Sequence, residues 1–290
     1  MRMLARGYTR GVSATQIAQN LAFINWTVLT GLAFGTYGAI SLLRRRSTAT
    51  GGYLGFATLC ALGFGVLAWL SDGALPDVQG ASPIALDPTF DLPRRLGLVA
   101  FCALVVLGVV VRRVRPDVAS PVEAGALGAA AVTLVAGALG WGGGAVGAAA
   151  LLVELAVLFA ATGGVFAAMV LGHWYLVTPK LPEAPLILLA RVLFAVIAVQ
   201  VGLFVAWIAT GAGPAKAAPF SALTGPWALF VWLRLIVGLL FPLIVSWAAI
   251  QTARTRSMES ATGLLYINVG TIASGTILAA GLYFGAGLLV

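Results

Sequence analysis

Long apolar runs follow one another along the whole chain. They cover roughly residues 19 to 43, 51 to 71, 96 to 111, 122 to 141, 146 to 177, 185 to 210, 227 to 250 and 261 to 289. A helix needs about 20 mainly apolar residues to cross the hydrocarbon core of a bilayer. Barrel strands would instead alternate apolar and polar residues, which these runs do not. The pattern predicts an all-α integral membrane protein with about eight transmembrane helices.

The composition excludes a soluble protein. Of the 290 residues, 61% are hydrophobic and only 9% are charged, whereas soluble domains carry about 25% charged residues. Too few polar side chains are present to cover a globule in water, so the lipid bilayer is the predicted surrounding. The net charge of +8 comes from arginines in short clusters between the apolar runs. That distribution indicates membrane topology, and we expect no nucleic-acid partner.

The basic residues predict the orientation of the spans. They concentrate after the first, third, fifth and seventh runs, as Arg44, Arg45, Arg46, Arg112, Arg113, Arg115, Lys180, Arg254 and Arg256. Loops rich in Lys and Arg are usually cytoplasmic. Both termini would then be non-cytoplasmic, in a bacterial inner membrane, with Asp72, Asp77, Asp87 and Asp91 on the same outer side. Three arginines in the N-terminal tail, residues 1–18, favour the reverse orientation.

Weak internal similarity predicts a tandem duplication. Residues 68–76 read AWLSDGALP and residues 206–214 read AWIATGAGP. At nearly the same separation, TGLAF at 30–34 is similar to TGGVF at 162–166. The predicted units are a first four-helix repeat, 19–141, and a second, 142–290. An even number of helices keeps the orientation, so the repeats would be parallel bundles, and their interface would be a common place for a binding cleft.

Ionisable residues inside spans are costly, by about 2.5 to 3.5 kcal/mol on insertion scales, and are therefore candidates for function. Glu154 in the fifth span and Arg234 in the seventh lie at similar depths from the same side. We expect them to form an intramembrane ion pair. Such a pair either locks two helices together or forms a proton or ligand site.

The segment GHWYLVTPKLP, residues 172–182, contains the single histidine of the chain. Trp174 and Tyr175 are typical of the membrane interface. His173 and Arg191 are expected at comparable depth on either side of a short loop. An imidazole, a guanidinium and a tyrosine hydroxyl suit the carbonyls of a quinone, whose reduction needs a protonatable neighbour. His173, Trp174, Tyr175 and Arg191 are therefore the candidate quinone site; the alternative is an interfacial histidine bonded to a loop carbonyl.

Small residues recur every four positions in the fifth run, at Ala160, Gly164, Ala168 and Gly172. A face of small residues lets another helix approach closely. This pattern predicts helix packing rather than chemistry, and it makes the fifth span central.

Other chemistry is not indicated. Cys60 and Cys102 lack the spacing of a metal or redox motif, and one histidine excludes a bis-histidine haem. We expect no metal and no covalently bound cofactor. No nucleotide-binding loop or hydrolase triad order is present, so catalytic residues are not predicted and the chain is not expected to be catalytic alone.

Three functions remain open. Two parallel four-helix bundles with a quinone site resemble, in architecture, the NrfD-like membrane subunits of bacterial redox complexes. That resemblance implies a quinone-interacting anchor with redox subunits as partners. The second possibility is a small-solute transporter, which the repeat, the glycines and Pro242 within span seven favour. The third is a structural or assembly subunit.

Overall fold

The computed structural model describes residues 14–76, 83–178 and 181–290, and the regular structure in these ranges is helical throughout. The helices are α1 (Ala14–Arg46), α2 (Gly51–Asp72), α3 (Asp91–Val114), α4 (Ala119–Trp141), α5 (Ala145–Val177), α6 (Ala184–Thr210), α7 (Ala228–Leu235), α8 (Phe241–Arg254) and α9 (Met258–Ala286). A π-helical turn, Ile236–Leu240, joins α7 to α8 into one span. Within the described ranges, eight helical segments are long and apolar enough to cross a membrane. The predicted all-α fold with eight spans is confirmed.

The third span differs from its prediction. It begins at Asp91, five residues earlier than expected, so that Arg94 lies inside the helix. Arg94 is tolerated there because two carboxylates neutralise it, Asp72 at 2.8 Å and Asp91 at 2.5 Å. Asp77, Lys180 and the arginines of the N-terminal tail lie outside the described residues.

The two longest helices, α1 and α5, pack against each other through the middle of the protein. In the first half α2 packs on α1, and α3 packs against α2 and α4; in the second half α6 and α9 pack on α5, and α7–α8 packs against α6 and α9. In addition, α4 packs on α5 and α9 packs on α1. Each half thus contributes one central helix, α1 or α5, and one helix, α4 or α9, that packs on the central helix of the other half. The division into repeats 19–141 and 142–290 stays a prediction.

Two glycines set the distance between the central helices. A Cβ on Gly35 would lie 1.9 Å from the Phe159 carbonyl oxygen, and one on Gly163 would lie 2.1 Å from the Thr36 nitrogen. Thr36 Oγ1 also donates a hydrogen bond across the contact to the Gly163 carbonyl, at 3.2 Å. Close backbone contact of this kind requires small residues. The crossing of α1 and α5 therefore depends on Gly35 and Gly163.

Successive spans run in opposite directions, which gives the protein two distinct ends. The arginine-rich side holds the ends of α1, α3 and α8, and there Arg256 in the last interhelical loop pairs with Glu183 at 2.7 Å. On the opposite side the Tyr283 hydroxyl donates to the Trp141 carbonyl at 2.9 Å, tying α9 to α4. These contacts close the bundle at both ends.

Candidate functional site

His173 and Trp174, at the end of α5, face different neighbours. His173 is exposed, and its Nδ1 lies 3.4 Å from the Tyr266 hydroxyl of α9. Trp174 packs instead against two rings of α2, Tyr53 and Phe56, with ring centroids 6.5 Å away in both cases. Successive helical residues point about 100° apart at 3.6 residues per turn. The two side chains therefore do not converge on one ligand position.

Tyr175 and Arg191 also lie apart from this position. The buried Tyr175 hydroxyl donates a hydrogen bond to the Pro182 carbonyl at 2.5 Å, so it stabilises the turn into α6. Arg191 lies on an exposed face of α6, just before Val192. The structure thus does not gather the four predicted quinone residues around one cavity.

Glu154 and Arg234 lie together in a buried polar cluster. Arg234 Nη2 is 3.7 Å from Glu154 Oε1, and it donates a hydrogen bond to Gln200 Oε1 at 3.0 Å. Trp207 Nε1 donates to the other carboxylate oxygen at 3.1 Å. Both charged side chains are less than a tenth exposed. This network links α5, α6 and α7, although Glu154 Oε1 accepts no hydrogen bond and has only the guanidinium 3.7 Å away as its counter-charge.

The π-helical turn belongs to the same cluster. Arg234 Nη1 lies 3.4 Å from the Gly238 carbonyl, to which it donates. A Cβ on Gly238 would lie 2.7 Å from the Gly275 Cα of α9, so a glycine is needed where the span packs on α9. The wider π turn presents this carbonyl to the guanidinium, and such turns interrupt α-helices rarely.

Arg94 occupies a comparable cluster at the same side of the protein. Besides Asp72 and Asp91, its guanidinium carbon lies 5.0 Å from the ring centroid of Trp141, as in a cation–π contact. The cluster joins the end of α2 to the start of α3 and the end of α4. The predicted third span begins at residue 96 and leaves Arg94 outside it, so the sequence does not predict this cluster.

Glu123 is a buried carboxylate that is absent from the candidate residues predicted from the sequence. It lies near the start of α4, is buried, and accepts hydrogen bonds from Arg44 and Arg112 at 3.0 and 2.8 Å. A signal was available: Glu123 is a carboxylate within a predicted span, next to loops rich in arginine.

An apolar cavity of about 290 Å³ lies between α1, α4, α5 and α6. The rings of Phe34 and Phe159 and the aliphatic side chains of α4 and α6 form its walls. Every lining residue is apolar or a glycine, and among them are Gly35, Gly38, Ala39, Ala130, Ala131, Ala156, Ala160 and Gly164. The cavity can hold a lipophilic ring or chain, but its side chains offer no acid or base.

Small residues leave this cavity open. A Cβ on Gly38 or Gly164 would meet no atom within 4 Å. Ala156 and Ala160 are exposed although α5 is one of the two central helices. The cavity is thus a groove that opens towards the membrane between α4 and α6. Half of the predicted small-residue face, Ala160 and Gly164, lines this groove instead of contacting another helix.

No protein-family model matches the chain, and no curated protein or solved structure is significantly similar to it.

Proposed function

We propose that the chain is a membrane subunit that binds a lipophilic, chain-bearing molecule in the groove between α1, α4, α5 and α6, and that this molecule is an isoprenoid quinone. The observation that carries the proposal is the apolar cavity itself. Its volume of about 290 Å³ is close to the lower end of the range for ligand pockets, about 300–1,000 Å³. Ligands of this kind are dissolved in the bilayer, towards which the groove opens.

Two features of the groove favour a molecule with a flat ring and a chain. The rings of Phe34 and Phe159 provide aromatic surfaces inside it. At its mouth Val192 is 38% exposed, so the groove is open on one side. In this proposal the ring of the ligand lies against Phe34 and Phe159, and its chain extends through the mouth into the bilayer.

The biological role follows from such a ligand. A quinone-binding membrane subunit would anchor a redox complex in the bacterial inner membrane and present the quinone to partner subunits that hold metal centres. The arginine-rich side would be cytoplasmic under the positive-inside rule.

The binding test compares glycines that have equal space around them. Gly164→Leu places a side chain in the groove, whereas Gly270→Leu adds the same side chain at an exposed position of α9 where a Cβ also meets no atom. Organic extracts of the purified proteins are analysed for quinones by mass spectrometry. We expect quinone in the wild type and in Gly270→Leu, and a loss of at least about tenfold in Gly164→Leu. Equal retention in all three proteins would contradict the proposal.

His173 provides a separate test of where the quinone ring binds. If the ring binds at the end of α5, as the sequence predicts, His173→Ala lowers the quinol-linked activity of the complex and Gly164→Leu leaves it unchanged. If the groove is the site, the two variants give the opposite results.

A further inference from the structure

A second cavity, of about 310 Å³, lies between α1, α2, α3 and α4 at the arginine-rich side. Its walls are mainly apolar and include Leu54, Leu59, Val105 and Val109. Leu59 is 59% exposed, so this wall continues onto the surface that faces the lipid. The cavity is separate from the groove proposed for quinone, and it shares no lining residue with it.

The polar end of this cavity carries an excess of positive charge. Arg44, Arg112 and Arg113 line it, and Glu123 is the one carboxylate among its lining residues. Glu123 already accepts from Arg44 Nη1 at 3.0 Å and from Arg112 Nη2 at 2.8 Å, and Arg45 Nε lies 3.9 Å from it. One carboxylate therefore faces several guanidinium groups.

Arg113 is the cation that this carboxylate does not neutralise. It is exposed and lines the cavity, and it forms no ion pair with any carboxylate of the described ranges. Glu123 instead holds Arg44 and Arg112 in place, with a further hydrogen bond from the Ser41 hydroxyl. The result is a pair of guanidinium groups held by Glu123, with Arg113, which has no such partner, on the wall of the same cavity.

We propose that this cavity binds an anionic phospholipid, with the phosphate of its head group on the arginines and the start of its acyl chains on the apolar wall. Guanidinium groups pair with phosphate oxygens through two parallel hydrogen bonds. Basic pockets between transmembrane helices are known to bind acidic lipid head groups. The apolar wall and its continuity with the lipid-facing surface favour a lipid over a free anion.

The experiment measures lipid selectivity in the full-length chain. Wild type, Arg113→Gln and Arg115→Gln are purified in a neutral detergent. Each is exposed to equal amounts of phosphatidylglycerol and phosphatidylcholine with the same acyl chains, and bound lipid is counted by native mass spectrometry. Arg115 is the matched control because it is exposed at the same helix end but does not line the cavity.

Wild type and Arg115→Gln should retain phosphatidylglycerol in preference to phosphatidylcholine. Arg113→Gln should lower that preference about fivefold, the effect expected from the loss of one direct arginine contact with an anionic head group. Equal retention of the two lipids by the wild type would overturn the proposal, and so would an unchanged preference in Arg113→Gln.

Two controls separate lipid binding from other roles of the arginines. Displacement of phosphatidylglycerol from the wild type by millimolar inorganic phosphate would identify a site for soluble anions and overturn the assignment to a lipid. Arg113→Gln should unfold at the same temperature as wild type in detergent without added lipid. A clearly lower unfolding temperature would assign Arg113 a structural role instead.

Discussion

The two sides of the central α1–α5 pair are built differently. Where α2 lies against α5, aromatic rings fill the space: Phe64 lies 5.1 Å from Phe166, and Trp174 lies against Tyr53. On the side of α4 and α6, glycine and alanine leave a cavity of about 290 Å³. One pair of helices is thus closed by bulky side chains on one face and left open on another. The groove is open because its side chains are small, and this makes it a specific place for a ligand.

The largest loss of folded protein is expected for substitution of Gly163, and its neighbour Gly164 serves as the control. Gly163→Leu forces a side chain against the backbone of α1, where even a Cβ would lie 2.1 Å from the Thr36 nitrogen. Overpacking usually lowers stability by about 1–3 kcal/mol. The loss is larger here because the clashing atoms belong to the backbone of α1, which cannot adopt another rotamer as a side chain can. We expect little or no folded Gly163→Leu and a folded Gly164→Leu, as measured by size-exclusion chromatography after mild solubilisation. Equal yields would show that the groove and the helix crossing are not distinct.

Removing the buried arginine should have the next largest effect. Arg234→Met leaves Glu154 buried without its counter-charge, which typically costs about 3–5 kcal/mol. Replacing Glu154 by Gln in the same protein should recover part of this loss, because no buried charge is left. Unfolding in a denaturing detergent of the two single variants and the double variant measures the coupling. Additive effects would show that the 3.7 Å contact contributes nothing.

Trp174→Ala should leave a gap between α5 and α2. Deletion of a buried Trp or Phe side chain costs about 3–5 kcal/mol, and we expect a smaller loss, about 2 kcal/mol, because Trp174 is only partly buried. The substitution leaves the α4–α6 groove intact, so quinone retention should be unchanged while thermal stability falls. A loss of retained quinone would place the ligand beside Trp174.

The smallest effect on stability is expected for the ion pair between Glu183 and Arg256. The pKa of Glu183 is lowered by a hydrogen bond from its own backbone N–H and by Arg256. A carboxylate with a lowered folded-state pKa stabilises the protein above its unfolded pKa of about 4.3, and this contribution is lost as the pH falls through the folded value. Glu183→Gln should therefore unfold at a slightly lower temperature than wild type at pH 7, and the difference in unfolding temperature should vanish in acid. A difference that persists in acid would have another cause.

The spans could be predicted from the sequence because the bilayer imposes its thickness on every helix. The depths of Glu154 and Arg234 could also be predicted by counting residues along helices. Their hydrogen-bond partners Gln200 and Trp207 could not, because the sequence does not fix how helices rotate against each other. His173 and Tyr175, by contrast, lie two residues apart in one helix and so point about 200° apart at 3.6 residues per turn, and their separation could be predicted from the sequence.

The groove itself was not predictable. Ala160 and Gly164 indicate only that a neighbour can approach, and whether one does depends on where α1 crosses α5. In the structure the backbones meet at Gly163, one residue away, so the adjacent small residues line a space. Glu123 was missed for a different reason: its arginine partners were interpreted only as a signal of topology.

The most direct test of the central claim is to map where a lipophilic ligand binds. A photoactivatable isoprenoid quinone analogue is irradiated with the protein in nanodiscs, and the labelled peptides are identified by mass spectrometry. We predict adducts on the groove segments 34–42 of α1, 130–134 of α4 and 189–193 of α6, with loss of labelling in Gly164→Leu. Labels concentrated on α2 and α9, or spread evenly over all lipid-facing helices, would contradict the account.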